Sequence, residues 1–267
     1  MAQAMSQLGK RLFSSVFFIS ASIFAIFGPR WVFMTCMLIL VGMAQREFYG
    51  LVARKGIPVA KEIGVGAGLL LPFAVLLSLD GLFLILTCLI LFMAYFKPGR
   101  REHGLLGVGL TFFGVIYVSW FFSHAVAIRE LSQGSRWLFY TALLVKGGDA
   151  GAYFVGKKFG RTKLIEHISP NKSVEGAWGG FATTIVLSLL SVFYLPDVSF
   201  WHRLFLGICI AVIAQLSDLA ESLIKRDVHV KDSGEVPGLG GFLDVLDSLL
   251  LTIPFVYYYL TQIMALR

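Results

Sequence analysis

Residues 217–248 read SDLAESLIKRDVHVKDSGEVPGLGGFLDVLDS, a polar interruption between two apolar runs. Asp218, Glu221, Ser222 and Lys225 fall at i, i+3, i+4 and i+7, one face of a helix. Asp244, Asp247 and Ser248 repeat the i, i+3, i+4 spacing on a second helix. Between them lie Lys225-Arg226, Lys231-Asp232 and the bend Pro237-Gly238-Leu239-Gly240-Gly241. Carboxylates from two helices, basic side chains and a glycine-rich bend together suit a divalent metal carrying a phosphate ligand.

The surroundings of that stretch are apolar. Of 267 residues, 57% are hydrophobic and only 15% charged, where a soluble domain carries about 25% charge. The pattern predicts an all-α, polytopic integral membrane protein. About nine transmembrane helices are expected, near 11–28, 30–48, 63–79, 81–96, 104–128, 136–156, 176–195, 201–224 and 242–264. With the N-terminus in the cytoplasm, seventeen Lys and Arg fall on the cytoplasmic side, from Lys10-Arg11 through Arg46, Lys97 and Arg100-Arg101 to Lys231. Five fall opposite: Arg30, Arg129, Arg136, Arg203 and Arg267. That asymmetry predicts the orientation and an odd number of spans. The +7 net charge therefore reads first as topology, and no soluble basic domain exists to bind nucleic acid. Cys36, Cys88 and Cys209 sit inside apolar runs without ligand spacing, and the five histidines are scattered, which argues against zinc. The first apolar run has a basic flank but no convincing cleavage site, so it reads as a retained helix.

Residues 1–135 are expected to be transmembrane scaffold, with few ionisable side chains in the spans. Residues 136–267 are expected to be the catalytic region, with cytoplasmic loops 157–175 and 225–241. Charges at membrane depth are costly and usually face a cavity, and here they concentrate in the last four spans. Lys146 and Asp149 lie in the sixth, Asp218 and Glu221 in the eighth, and Asp244 and Asp247 open the ninth. The expectation is a polar, cytoplasm-facing active-site cavity. Each pair also has a plainer reading: an ion pair between spans, hydrogen-bonded helix contacts, or capping of a helix start. Gly147-Gly148 has one too, since small residues let helices approach closely. The loop GKKFGRTK (156–163) and SPNKSVEG (169–176) offers Lys, Arg, Ser and backbone donors to oxyanions, without forming a Walker A motif.

Taken together these motifs resemble the phosphatidate cytidylyltransferases. The resemblance rests on Ser222-x-x-Lys225-Arg226-x4-Lys231-Asp232, on Pro237-Gly238-Leu239-Gly240-Gly241-x-x-Asp244-x-x-Asp247, on Asp149-Ala150-Gly151-Ala152-Tyr153 and on Ser169-Pro170-Asn171-Lys172-Ser173. Leu239 stands where that family usually has His and Val245 where it usually has Arg, and the spacer before Pro237 is one residue shorter. The resemblance implies transfer of the cytidylyl group of CTP to phosphatidate, with release of pyrophosphate. It implies Mg²⁺, leaving a second, monovalent ion open, held by Asp218 and Asp244 with Asp247 and Glu221 as further ligands or support. Lys225 and Ser222 join Asp218 and Asp244 in catalysis. Arg226, Lys231, Asp232, Lys172, Ser173 and Asp149 meet the substrates. A homodimer in the bacterial inner membrane, with its active site in the cytoplasm, is the accompanying expectation. A CTP-dependent polyprenol kinase, an ion-coupled transporter and a non-catalytic scaffold are the alternatives.

Overall fold

A computed structural model describes residues 19–96, 103–234 and 240–266. The start of the first expected span, Lys10, Arg11, Lys97, Arg100, Arg101, the Pro237-Gly238-Leu239 part of the bend and Arg267 lie outside those residues.

A chain with so few polar side chains has to satisfy its backbone N–H and C=O groups internally, and helices do so locally. The helices are α1 (19–27), α2 (Arg30–Ala53), α3 (Lys61–Leu76), α4 (Asp80–Tyr95), α5 (Gly104–Glu130) and α6 (Gly134–Phe159). They continue with α7 (Val174–Leu190), α8 (Phe200–Asp227), α9 (Phe242–Leu250) and α10 (Thr252–Tyr258). A helix thus stands at the position of every expected span. Five stretches are long and apolar enough to cross a bilayer: Arg30–Ala53, Gly104–Glu130, Val174–Phe193, Phe200–Asp227 and Phe242–Ile263. Helices α3 and α4 have 16 residues each, below the roughly 20 that span a hydrocarbon core untilted. On α4, Leu82, Ile85, Leu86, Leu89 and Met93 are exposed at helical spacing. An exposed apolar stripe of that kind suits lipid and not water. The chain is a multi-pass, overwhelmingly helical membrane protein.

One element departs from the all-α expectation. Within the polar segment 157–175, strands β1 (Lys163–Ile165) and β2 (Ser169–Ser173) form a two-stranded antiparallel hairpin, with Lys163 opposite Ser173 and Ile165 opposite Ser169. Glu175 closes its base, accepting hydrogen bonds from Arg161 N at 3.0 Å and Thr162 N at 3.2 Å. The sequence offered Lys, Gly and Pro without strand alternation, so nothing local announced the pairing.

The chain forms two compact units, residues 1–127 with 227–246 and residues 128–226 with 247–267. In the first, Leu71, Ala74 and Val115 form one buried cluster, and Ala60, Leu91, Tyr95 and Val108 another. A buried polar seam runs beside them: Gln45 Nε2 donates to Tyr49 Oη at 3.2 Å, and Tyr49 Oη donates to Thr111 O at 2.8 Å. In the second unit, α6 and α7 pack through small residues. A Cβ on Gly180 would stand 2.9 Å from Gly148 O and 3.0 Å from Ala152 Cβ, so the two helices meet nearly backbone to backbone. The plain reading of Gly148 as a close-approach residue is what the packing uses.

Replacing Gly180 with Val forces α6 and α7 apart, because the obstructing atoms include backbone. Gly180→Val is expected to lower stability by about 1–3 kcal/mol, read as a fall in the thermal unfolding midpoint in detergent.

Candidate active site

Two polar clusters collect several of the ionisable residues singled out above. The first lies wholly in the second unit. Helix α8 presents Asp218, whose Oδ2 lies 2.6 Å from Lys172 Nζ at the end of the hairpin. One turn on, Ser222 Oγ reaches Asp218 Oδ1 at 3.5 Å. Helix α6 contributes Lys146 and Asp149, with Nζ 3.4 Å from Asp149 Oδ2 and 3.9 Å from Asp247 Oδ1. Ser248 joins the two carboxylates, its Oγ 2.9 Å from Asp247 Oδ1 and 3.4 Å from Asp149 Oδ2. Ser217 on α8 donates to the carbonyl of Asp247 and accepts from Leu251 N at 3.3 Å, fastening α8 to the α9–α10 junction. The carboxylates of Asp149, Asp218 and Asp247 repel one another while Lys146 attracts them. The cluster is half open: Lys146 is 46% and Asp149 39% exposed, against 15% for Asp247.

Other expected residues are engaged differently. Glu221 is fully buried and pairs with Lys225 a turn later on α8, the i, i+4 geometry of the sequence. Arg226 Nε donates to Ile168 O at 3.0 Å, pinning the hairpin to the end of α8. Ser173 is the N-cap of α7, its Oγ accepting from Gly176 N at 3.1 Å, a role that favours Ser in that position and leaves its hydroxyl hydrogen to donate elsewhere. Lys231 and Asp232 are exposed. Asp244 and Val245 lie in the first turn of α9, and Leu239 lies outside the described residues.

The second cluster lies in the first unit and contains a residue that the sequence reading passed over. Asp244 Oδ2 accepts from Gly241 N at 2.7 Å, from Ser233 N at 2.8 Å and from Ser233 Oγ at 2.9 Å. Beside it is Glu47 of α2, which accepts from Phe242 N at 3.0 Å, Leu243 N at 2.9 Å and Ser233 Oγ at 2.9 Å. The plain reading of Asp244, a carboxylate at a helix start, is present in this geometry. Glu47 is the one acidic residue of the mostly apolar span 30–48, and that was the available signal.

Carboxylate and hydroxyl oxygens are the donors a hard divalent cation takes. Among the described residues, no three Asp, Glu, His or Cys side chains stand close enough to hold a metal as they are oriented. In the first cluster, the carboxylates instead hold ammonium groups, Lys146 and Lys172. That arrangement neutralises anions with cations that are themselves able to bind phosphate.

Comparison with known proteins gives the family. A model of the cytidylyltransferase family matches residues 9–263. A phosphatidate cytidylyltransferase of Bacillus subtilis is 38% identical over 66% of this chain and 66% of its own length. One of Synechocystis is 31% identical over 96% of this chain and 97% of its own. An uncharacterized protein of Escherichia coli K12 is 29% identical over 87% of this chain and 80% of its own.

The buried Glu221–Lys225 pair generates a stability prediction. Lys225→Met leaves a fully buried carboxylate without its ammonium partner, and is expected to cost about 3–5 kcal/mol. The double variant Glu221→Gln/Lys225→Met should recover most of that loss, as read from unfolding midpoints of the two variants in detergent.

Proposed function

Because the chain belongs to the cytidylyltransferase family, we propose that it transfers the cytidylyl group of CTP to phosphatidate, giving CDP-diacylglycerol and pyrophosphate. The observation that carries this reading is the cluster of Asp149, Asp218 and Asp247 held with Lys146 and Lys172 in one unit. Nucleotidyl transfer between two polyanions needs charge neutralisation and positioning more than proton transfer. A phosphate oxygen of phosphatidate forms a bond to the α-phosphorus of CTP, and the bond from that phosphorus to the bridging oxygen breaks to release pyrophosphate. The nucleophile is already anionic, so no strong general base is required.

In this reading the lysines change partners. Lys172 leaves Asp218 and Lys146 leaves Asp149 and Asp247 to meet phosphate oxygens, which frees the three carboxylates. The freed oxygens fit Mg²⁺ chemically, with Asp218 and Asp247 as principal ligands and Asp149 beside them. Asp244, expected as a principal ligand, is given up in this reading because its Oδ2 is taken by Gly241 N, Ser233 N and Ser233 Oγ. Bound there, Mg²⁺ would supply Lewis-acid stabilisation of the phosphates. Glu221 and Lys225 support α8 beneath Asp218. Ser222 orients the Asp218 carboxylate, and Ser173 and Arg226 add donors for phosphate. Pyrophosphate release sets this reaction apart from a CTP-dependent kinase, which would release CDP.

The finer topology belongs to the same proposal: nine spans, a cytoplasmic N-terminus and active site, the bacterial inner membrane and a homodimer. The excess of Lys and Arg on one side supports the orientation, and the family resemblance supports the dimer.

Detergent-purified protein given phosphatidate, labelled CTP and Mg²⁺ should yield pyrophosphate and a cytidine lipid in equal amounts, and chelation of Mg²⁺ should stop both. Asp218→Asn should lower turnover by about 100-fold or more while the protein stays folded; near-normal turnover would remove Asp218 from the site. For orientation, Lys158→Cys in a background lacking the native cysteines should react with a membrane-impermeant maleimide only from the cytoplasmic face. Labelling from the opposite face would reverse the topology.

A further inference from the structure

Helix α9 starts in an unusual way. The first amides of a helix have no intrahelical acceptor, and a side chain at the residue before the helix normally supplies one. That residue is Gly241, which has no side chain. Two carboxylates take its place. Asp244, three residues into the turn, reaches back to Gly241 N at 2.7 Å, the acidic half of a capping box. Glu47 comes from α2, nearly 200 positions earlier, and receives Phe242 N on Oε1 and Leu243 N on Oε2.

The glycines of the motif are shaped to admit Glu47. A Cβ on Gly234 would collide with Glu47 Oε1, and a Cβ on Gly241 would collide with Glu47 Oε2 and Ser233 Oγ. Gly240 has φ +87°, a left-handed turn that other residues rarely adopt. This turn aims the Gly241, Phe242 and Leu243 amides at the two carboxylates. Ser233 completes the joint, with Oγ 2.9 Å from both Glu47 Oε2 and Asp244 Oδ2. A hydroxyl has one hydrogen, so it donates to one carboxylate at a time. The positive end of the α9 dipole favours both anions at this point.

We propose that Glu47 is a positioning residue for the cytidylyl transfer. Its carboxylate sets the start and the rotation of α9, the helix that bears Asp244 and, one turn on, Asp247. The inference rests on the transferase reading above, since Asp247 belongs to the carboxylate cluster given the chemistry there. A carboxylate offers two anionic oxygens to two adjacent amides, whereas Gln offers one neutral acceptor and one amide group that repels an N–H. Glu47→Gln therefore loosens the helix start without opening a cavity.

The experiment uses the full chain in detergent, with Glu47→Gln, Glu47→Asp and Ser233→Ala. Turnover is followed against CTP and phosphatidate, and amide hydrogen exchange is followed along the chain. In Glu47→Gln, kcat should fall about 10–100-fold, because sub-ångström placement of reacting groups carries effects of that size, while KM for CTP moves less than about 3-fold. Exchange should accelerate at least about 10-fold at residues 242–245 and stay unchanged in the other helices. Glu47→Asp should regain part of kcat, and Ser233→Ala, which keeps the Glu47 bonds to both amides, should lose less than Glu47→Gln. Wild-type kcat in Glu47→Gln would overturn the proposal. So would unchanged exchange at 242–245, or a kcat loss that merely tracks faster exchange throughout the chain. Wild-type protein that makes no cytidine lipid would sink the transferase reading itself, and exchange at 242–245 would still decide whether Glu47 holds the helix start.

Discussion

An ionised carboxylate inside an apolar helical chain has to be met by a cation or by N–H groups, since the alternative costs several kcal/mol for each ion. Much of the polar architecture here follows from that constraint. Asp218 is met by Lys172, Asp149 and Asp247 by Lys146, and Glu221 by Lys225. Glu47 and Asp244 are met by backbone amides and a serine hydroxyl. The two solutions suit different tasks. A lysine can exchange its carboxylate for a phosphate, so ion pairs fit a site that must open to anionic substrates. An amide cannot leave its helix, so amide-bound carboxylates fit a fixed joint.

Close helix packing serves the same end. The small residues of α6 and α7 bring Gly148 and Gly180 nearly into backbone contact. Asp149 follows Gly148 directly, so the tight contact also fixes where that carboxylate emerges from its helix. The hairpin that follows α6 is tied at three points: by Glu175 at its base, by Ser173 as the cap of α7, and by Arg226 of α8 to Ile168. These ties hold Lys172 against Asp218. A basic loop that would otherwise be an ordinary connection between helices thus becomes an arm carrying one cation to one carboxylate.

Much of this was legible beforehand. The helix positions followed from apolar periodicity and from the obligation of a lipid-embedded backbone to satisfy itself, and the family followed from the Lys-Arg, Lys-Asp and Gly-Gly-x-x-Asp spacings. The i, i+3, i+4, i+7 spacing placed Glu221 and Lys225 on one face of α8, but the expectation gave them to metal and phosphate, and the ion pair between them came from the structure. The hairpin at 163–173 was not legible, because Ser-Pro-Asn-Lys-Ser carries no alternation and its pairing is stabilised by Glu175 and Arg226 from outside the strands. Glu47 was passed over because its partners are amides almost 200 residues away, and backbone amides leave no mark on composition or spacing.

By itself, the sequence determined the helical membrane character, the family and which residue types carry the chemistry, since those depend on local hydropathy, helical period and motif spacing. Only the tertiary structure decided which lysine answers which carboxylate, and that Gly234 and Gly241 are small so that Glu47 can reach the start of α9. The physical reason is the short range of these contacts: a hydrogen bond or ion pair of about 3 Å depends on how distant segments pack, and no local spacing encodes that.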